Sequence, residues 1–198
     1  NHSRIPSLLG WFSYERFWVV TAVEVFVLLS GIVLGTVYGR KLARAGWSAV
    51  VRGLANRALT LYAAFVGVSL SIFVLFAMGF DVSSLMDAGT INLTVLRDIA
   101  LMRSGPWTFQ IVGLYVWLVV AAVPCLLVLY YFGWRPLLAL SWLAYLGYHV
   151  SPLTLTGAEF EFGFPILTWQ LLFVHGIVIG YHREQLESTV SRLPRFVP

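Results

Sequence analysis

The stretch from Phe17 to Gly39, FWVVTAVEVFVLLSGIVLGTVYG, limits what this chain can fold into more than any other. It holds 23 residues and a single charge, Glu24. As a helix rising ~1.5 Å per residue it is long enough to cross a hydrocarbon core of about 30 Å. Gly31, Gly35 and Gly39 recur every four residues, and small residues at that spacing let a second helix backbone come close in lipid. Glu24 stands seven residues before Gly31 and eleven before Gly35. At about 100° per residue those offsets return to nearly one face. The charge of this span therefore sits on the stripe expected to face other protein. A carboxyl group at membrane depth costs about 2.5 kcal/mol or more and marks a functional position. The plainer role for such a group is a hydrogen bond to a neighbouring helix.

Composition agrees with a membrane protein. Of the 198 residues, 59% are hydrophobic and 11% charged, against about 25% charged in soluble domains. The net charge of +4 does not point to nucleic acid, because the basic residues cluster in short segments between apolar spans, as membrane orientation predicts. Cys125 is the only cysteine, so no internal disulfide can form, and its apolar surroundings read as ordinary packing. The chain opens on the polar run NHSRIP and not on a signal peptide. That opening is expected of a fragment with a spanning helix upstream.

The expected fold is all-α: a polytopic bundle of five spanning helices in one domain, at 17–39, 58–80, 110–132, 136–150 and 165–181. The fourth is short for a crossing unless its flanks extend it. Trp11, Phe12, Tyr14 and Trp18 are typical of a membrane–water interface. Within the polar segment 81–109, INLTVLRDIALM has helical apolar spacing and predicts a short helix on the surface. Segments 40–57, 133–135 and 182–198 carry nine basic residues and two acids, whereas 81–109 and 151–164 carry two basic residues and five acids. This alternation puts the first group on the cytoplasmic side and the second outside. Glu24 then lies in the outer half of its span, on the side of His2.

The sequence has no glycine-rich phosphate loop, no paired Cys/His metal spacing and no G-x-S-x-G motif. Asn92-Leu93-Thr94 matches a glycosylation sequon, a three-residue pattern that is frequent by chance. Of the four histidines, His2 is the candidate general base, since an imidazole exchanges a proton near neutral pH. The Glu24 carboxylate would orient it and stabilise the imidazolium, activating a hydroxyl for attack on an acyl carbonyl. His175 shares a face with Thr168 and His182. It reads either as part of a polar-lined path or as a neutral ring hydrogen-bonded to a neighbouring helix. His149 and His182 fall at interfaces. Trp169 and Gln170 enter the last span from outside, to line a pocket or to serve as an interfacial aromatic and a satisfied amide. Arg4 and Arg16 would meet an acidic substrate, or snorkel to water.

The ordered segments NHSRIP, AVEVFVLLSG with VYGR, ALTLY, LYVWLV and WQLLFVHG resemble the OpgC family. Its members are membrane proteins tied to succinylation of osmoregulated periplasmic glucans and related to the acyltransferase-3 group. The resemblance covers about residues 1–182. Where the family reads Asp-His-(Ile/Leu)-Pro, this chain has Asn1-His2-Ser3-Arg4-Ile5-Pro6, and the family's first helix, which bears Arg and Asp, is absent. The resemblance implies a multi-pass O-acyltransferase of the bacterial inner membrane. It would hold no bound cofactor, and acyl- or succinyl-coenzyme A would be the co-substrate. Membrane lipids and an envelope glycan acceptor would be the partners. It aligns His2 and Glu24 with the family's histidine and glutamate as the catalytic pair, and the residues themselves offer Arg16, Trp169 and Gln170 as substrate-binding candidates. A cavity beside the glycine stripe would let the acyl group cross. Two other classes fit the residues alone: a proton-coupled transporter or flippase using Glu24 and His175, and a structural membrane subunit.

Overall fold

The computed structural model describes residues 22–86 and 92–185, and all regular structure among them is helical. In chain order the helices are α1 (Ala22–Ala77), α2 (Leu93–Ala100), α3 (Gln110–Phe132), α4 (Trp134–Val150), α5 (Phe160–Gly163) and α6 (Ile166–Tyr181), with a 3₁₀ turn at Trp107–Phe109 leading into α3. Two helical stretches are long and apolar enough to cross a membrane, Val23–Ala77 and Trp107–Phe132, and Ile166–Tyr181 is a shorter apolar helix.

The expected loop at 40–57 does not exist as a loop. Helix runs through it and breaks at one residue, Gly46, where φ is 72°. Arginine, lysine, alanine and leucine dominate this stretch, and all four are good helix formers. Its charge therefore does not interrupt the helix. Only glycine adopts the left-handed conformation without strain. The break folds α1 back on itself. A Cβ placed on Gly53 would lie 2.9 Å from Tyr38 Cε1 and 2.8 Å from Lys41 Nζ. In a straight helix Tyr38 and Gly53 would stand about 22 Å apart. α1 is thus two limbs, 22–45 and 47–77, joined by a one-residue elbow. A second such reversal, at Gly133 with φ 83°, joins α3 to α4. α3 has the expected bounds. α4 begins two residues earlier than expected, because Pro136 is tolerated in a first helical turn.

The tightest packing joins the first limb of α1 to α6. A Cβ on Gly31 would sit 2.3 Å from Phe173 O, and one on Gly35 2.2 Å from Ile177 O. Reciprocally, a Cβ on Gly176 would sit 2.3 Å from Leu28 O and one on Gly180 2.0 Å from Ile32 O. Backbones this close leave no room for any side chain, the arrangement that small residues four apart permit. Contacts advance together along both helices, so the two run parallel. Thr36 adds a hydroxyl 2.9 Å from Ile32 O and 3.2 Å from Gly180 O. Past the glycines, Arg40 pairs with Glu184 at 3.2 Å, an exposed contact of small worth. α3 packs on both limbs, with Tyr115 against Phe26 of the first and Val116 against Phe65 of the second.

At the other end of the bundle the two acid-rich loops meet. Glu159 N–H donates to Arg103 O at 2.9 Å, and within the first of these loops Trp107 N–H donates to Leu85 O at 3.0 Å. Asp81 accepts from the Ser83 hydroxyl and backbone N–H, and these two bonds hold its carboxyl below the usual carboxylate range. α2 forms where its apolar spacing predicts it. Asn92 caps it by accepting from Val95 N–H at 3.0 Å, and the Thr94 hydroxyl also donates to Asn92 Oδ1, so the sequon is a helix cap here. Ile99 of α2 is buried in a cluster with Phe73, Val82 and Met86. Glu161, only 2% exposed, organises the second loop. Its Oε1 accepts from Leu155 N–H at 3.0 Å. Its Oε2 accepts from Thr156 N–H at 2.8 Å, the Thr156 hydroxyl at 2.8 Å and Gly157 N–H at 3.1 Å. A buried carboxylate requires such compensation.

Gly176→Leu lowers stability by about 3 kcal/mol, at the upper end of overpacking costs, read as a fall in unfolding temperature in detergent. Gly67→Ala, whose Cβ would meet no atom within 4 Å, raises stability by about 0.5–1 kcal/mol through helix propensity. Glu161→Ala removes the acceptor of four donors and speeds amide hydrogen exchange at 155–157, at a cost on the order of 3 kcal/mol. Glu161→Gln keeps an acceptor oxygen and shows a smaller change in the same measurement.

Candidate functional site

His2 and Arg16 lie outside the described residues, as does Arg4. Glu24 is in the first turn of α1 and half-buried. It heads a stripe on which Val27, Gly31, Leu34, Gly35 and Tyr38 are all buried, so the carboxyl is on the protein-facing side that its spacing predicts. Because the first limb of α1 runs parallel to α6, Glu24 and the first turns of α6 lie at the same end of the bundle, the end where the acid-rich loops meet.

Trp169 is half-buried there, its ring centroid 5.4 Å from that of Phe164. Gln170 closes a polar clamp with α4. The Ser141 hydroxyl donates to Gln170 Oε1 at 2.7 Å, and Gln170 Nε2 donates to Ser141 O at 2.9 Å and Leu167 O at 3.0 Å. Both amide hydrogens are thus engaged, and the clamp ties α4 to α6 within an apolar surround. The three described histidines each turn Nδ1 toward a carbonyl of their own helix. His175 meets Leu171 O at 2.7 Å, His182 meets Val178 O at 3.0 Å and His149 meets Tyr145 O at 2.9 Å. A carbonyl can only accept, so in these bonds Nδ1 carries the hydrogen. The expected bond from His175 to a neighbouring helix is replaced by this local one, and its ring lies edge-on to Trp142 at 6.0 Å.

Two buried hydroxyls stand out because, among the described residues, no hydrogen-bond partner meets them: Tyr115 Oη and Thr168 Oγ1. Tyr115 is 5% exposed, in the second turn of α3, with Phe26 of α1 at 5.1 Å and Phe173 of α6 at 6.5 Å between ring centroids. Buried hydroxyls are usually paired, so an unpaired one close to the level of Glu24 and Trp169 is a ready donor. The sequence signal for Tyr115 was a lone phenol in the apolar run LYVWLV.

The expected cavity beside the glycine stripe is absent at Gly31 and Gly35, where α6 fills the space. A polar hollow of about 230 Å³ lies beyond them, between Gly39, Arg40, Gly180 and Glu184. Metal-ligand clusters are absent among the described residues. Toward the loop end lie a carboxyl group on α1, a spare phenol on α3 and an indole on α6. Groups of these kinds can orient a base and stabilise developing negative charge.

Comparison with known proteins gives one assignment. The family model described as OpgC protein matches residues 1–197. No curated protein matches the chain, and no solved structure does. The match takes in nearly every residue, and the chain belongs to the OpgC family.

Proposed function

We propose that the protein is an integral membrane O-acyltransferase that moves an acyl group, succinyl foremost, from a coenzyme A thioester to a hydroxyl of a cell-envelope glycan. Membership of the OpgC family across residues 1–197 carries this reading. The two limbs of α1 with α3, α4 and α6 would make five crossings of a bacterial inner membrane. Large apolar side chains such as Val33, Val37, Leu59, Val74 and Leu143 are exposed along these helices and support that placement. So does the gathering of the basic elbow at one end and the acid-rich loops at the other.

In this scheme His2 takes the proton of the acceptor hydroxyl while its oxygen bonds the acyl carbon. The tetrahedral centre collapses, the bond from the acyl carbon to the donor's leaving atom breaks, and the imidazolium returns its proton to that atom. Glu24 orients the imidazole and balances its charge. The carbonyl oxygen needs hydrogen-bond donors as it becomes anionic. Gln170 spends both amide hydrogens on the α4–α6 clamp, which leaves Arg16, the Trp169 indole and the Tyr115 phenol as the donors of choice.

Membranes carrying the protein, given labelled succinyl-coenzyme A and envelope glycan, should label the glycan. His2→Ala and Glu24→Gln should each lower transfer about 10²-fold or more, the scale of general acid–base catalysis, with membrane insertion unchanged. Retained transfer in both variants overturns the assignment. Tyr115→Phe separates a catalytic from a packing role. Losing an unpaired buried hydroxyl leaves the unfolding temperature equal or higher, while transfer falls about tenfold or more if the phenol is an oxyanion donor.

A further inference from the structure

Apolar crevices open on both sides of α3. One, of about 330 Å³, lies against the second limb of α1. The other, of about 320 Å³, lies between α3, α4 and α6, and runs from Leu118 to Val128 along α3. Three features of the second crevice identify what fills it. First, its lining is apolar except for Ser141 and Gln170, whose hydrogen-bonding groups are already spent on each other and on Leu167. A polar ligand would find nothing to replace its water. Second, ten residues of α3 span about 15 Å, half of a ~30 Å hydrocarbon core and so the depth of one leaflet. Third, Leu155, itself exposed, lines the loop end of the crevice, its backbone N–H bonded to Glu161. The side, between Pro124 and Leu140, is open, and both residues are exposed. In a bilayer that opening faces lipid tails.

We propose that this crevice holds one alkyl chain of a membrane phospholipid, admitted sideways from the bilayer between Pro124 and Leu140. The proposal rests on the membrane-spanning part of the reading above and is independent of acyl transfer. Its readouts, alkylation and bound lipid, do not depend on activity.

Cys125 lines the crevice, is half-buried and supplies an intrinsic reporter. The full chain, extracted and stripped of lipid in a rigid steroidal detergent, is treated with N-ethylmaleimide, and the Cys125 adduct is followed by peptide mass spectrometry. Dioleoyl phosphatidylglycerol at ten times its dissociation constant should slow alkylation about tenfold, the factor that one-site occupancy gives. Dibutyryl phosphatidylglycerol, with the same headgroup and short chains, should leave the rate unchanged. Ala144→Phe, which fills the crevice from α4, should remove the long-chain effect and lower the lipid co-purifying with the protein by about one molecule per chain, the capacity of a single-chain site. An unchanged rate with the long-chain lipid overturns the proposal. So does equal protection by the short-chain lipid, which would signal a headgroup site. If Ala144→Phe does not fold, the comparison of the two lipids on the unmodified chain still decides.

Discussion

Direct backbone contact between the glycines of α1 and α6 sets the frame of this molecule. Gly31 and Gly35 admit the carbonyls of Phe173 and Ile177, and Gly176 and Gly180 admit those of Leu28 and Ile32. Dispersion falls off steeply with separation, so helices that touch along their backbones gain more than helices held apart by side chains. The contact also fixes direction and register. It makes the first limb of α1 parallel to α6, brings Glu24 to the end that carries Trp169, and sends Arg40 and Glu184 to the opposite end.

Around that frame nearly every polar group inside the bundle is settled by its own chain. Glu161 is satisfied by the loop it shapes, Gln170 by Ser141 and Leu167, Thr36 by carbonyls of both glycine helices, and His175 by the turn below it. Unsatisfied polar atoms are expensive in a water-poor interior. Against that background the phenol of Tyr115 and the hydroxyl of Thr168 are exceptions. Exceptions of this kind collect where a protein holds something other than itself. Both lie in early turns of their helices, close to the level of Glu24.

Periodic features were legible from the amino acids. The spacing of Glu24, Gly31 and Gly35 foretold a buried stripe, and the bounds of α3 follow from its unbroken apolar run. The separation of acid-rich from basic segments foretold which loops share an end of the bundle, and the structure adds that two of them touch. What was missed depends on pairing. Gly176 and Gly180 repeat the spacing of the first span, but only the structure shows the two stripes facing each other. The roles of Gln170 and Glu161 depend on Ser141 and on the backbone of 155–157, and no local pattern announces either. The segment 40–57 is helical despite its charge, because charge alone does not interrupt a helix. Of the expected catalytic pair, Glu24 stands where its spacing put it. His2 and Arg16 fall outside the described residues, and Tyr115 was hidden in an apolar run whose periodicity drew attention away from its hydroxyl.

The elbow at Gly46 has a consequence for biogenesis. If both limbs cross a bilayer, as the proposed function has it, a connector of one residue keeps them from entering separately, since either limb alone would drag the start of the other with it. They would go in as a preformed hairpin, tip first or tip last. With Arg40, Lys41, Arg44 and Arg52 around the tip, translocating the bend would mean dehydrating several cations at once, so the bend stays on the side of synthesis. Orientation of the two limbs would then be decided together, before α6 is made, and the nascent glycine face of the first limb would wait in the membrane for its partner.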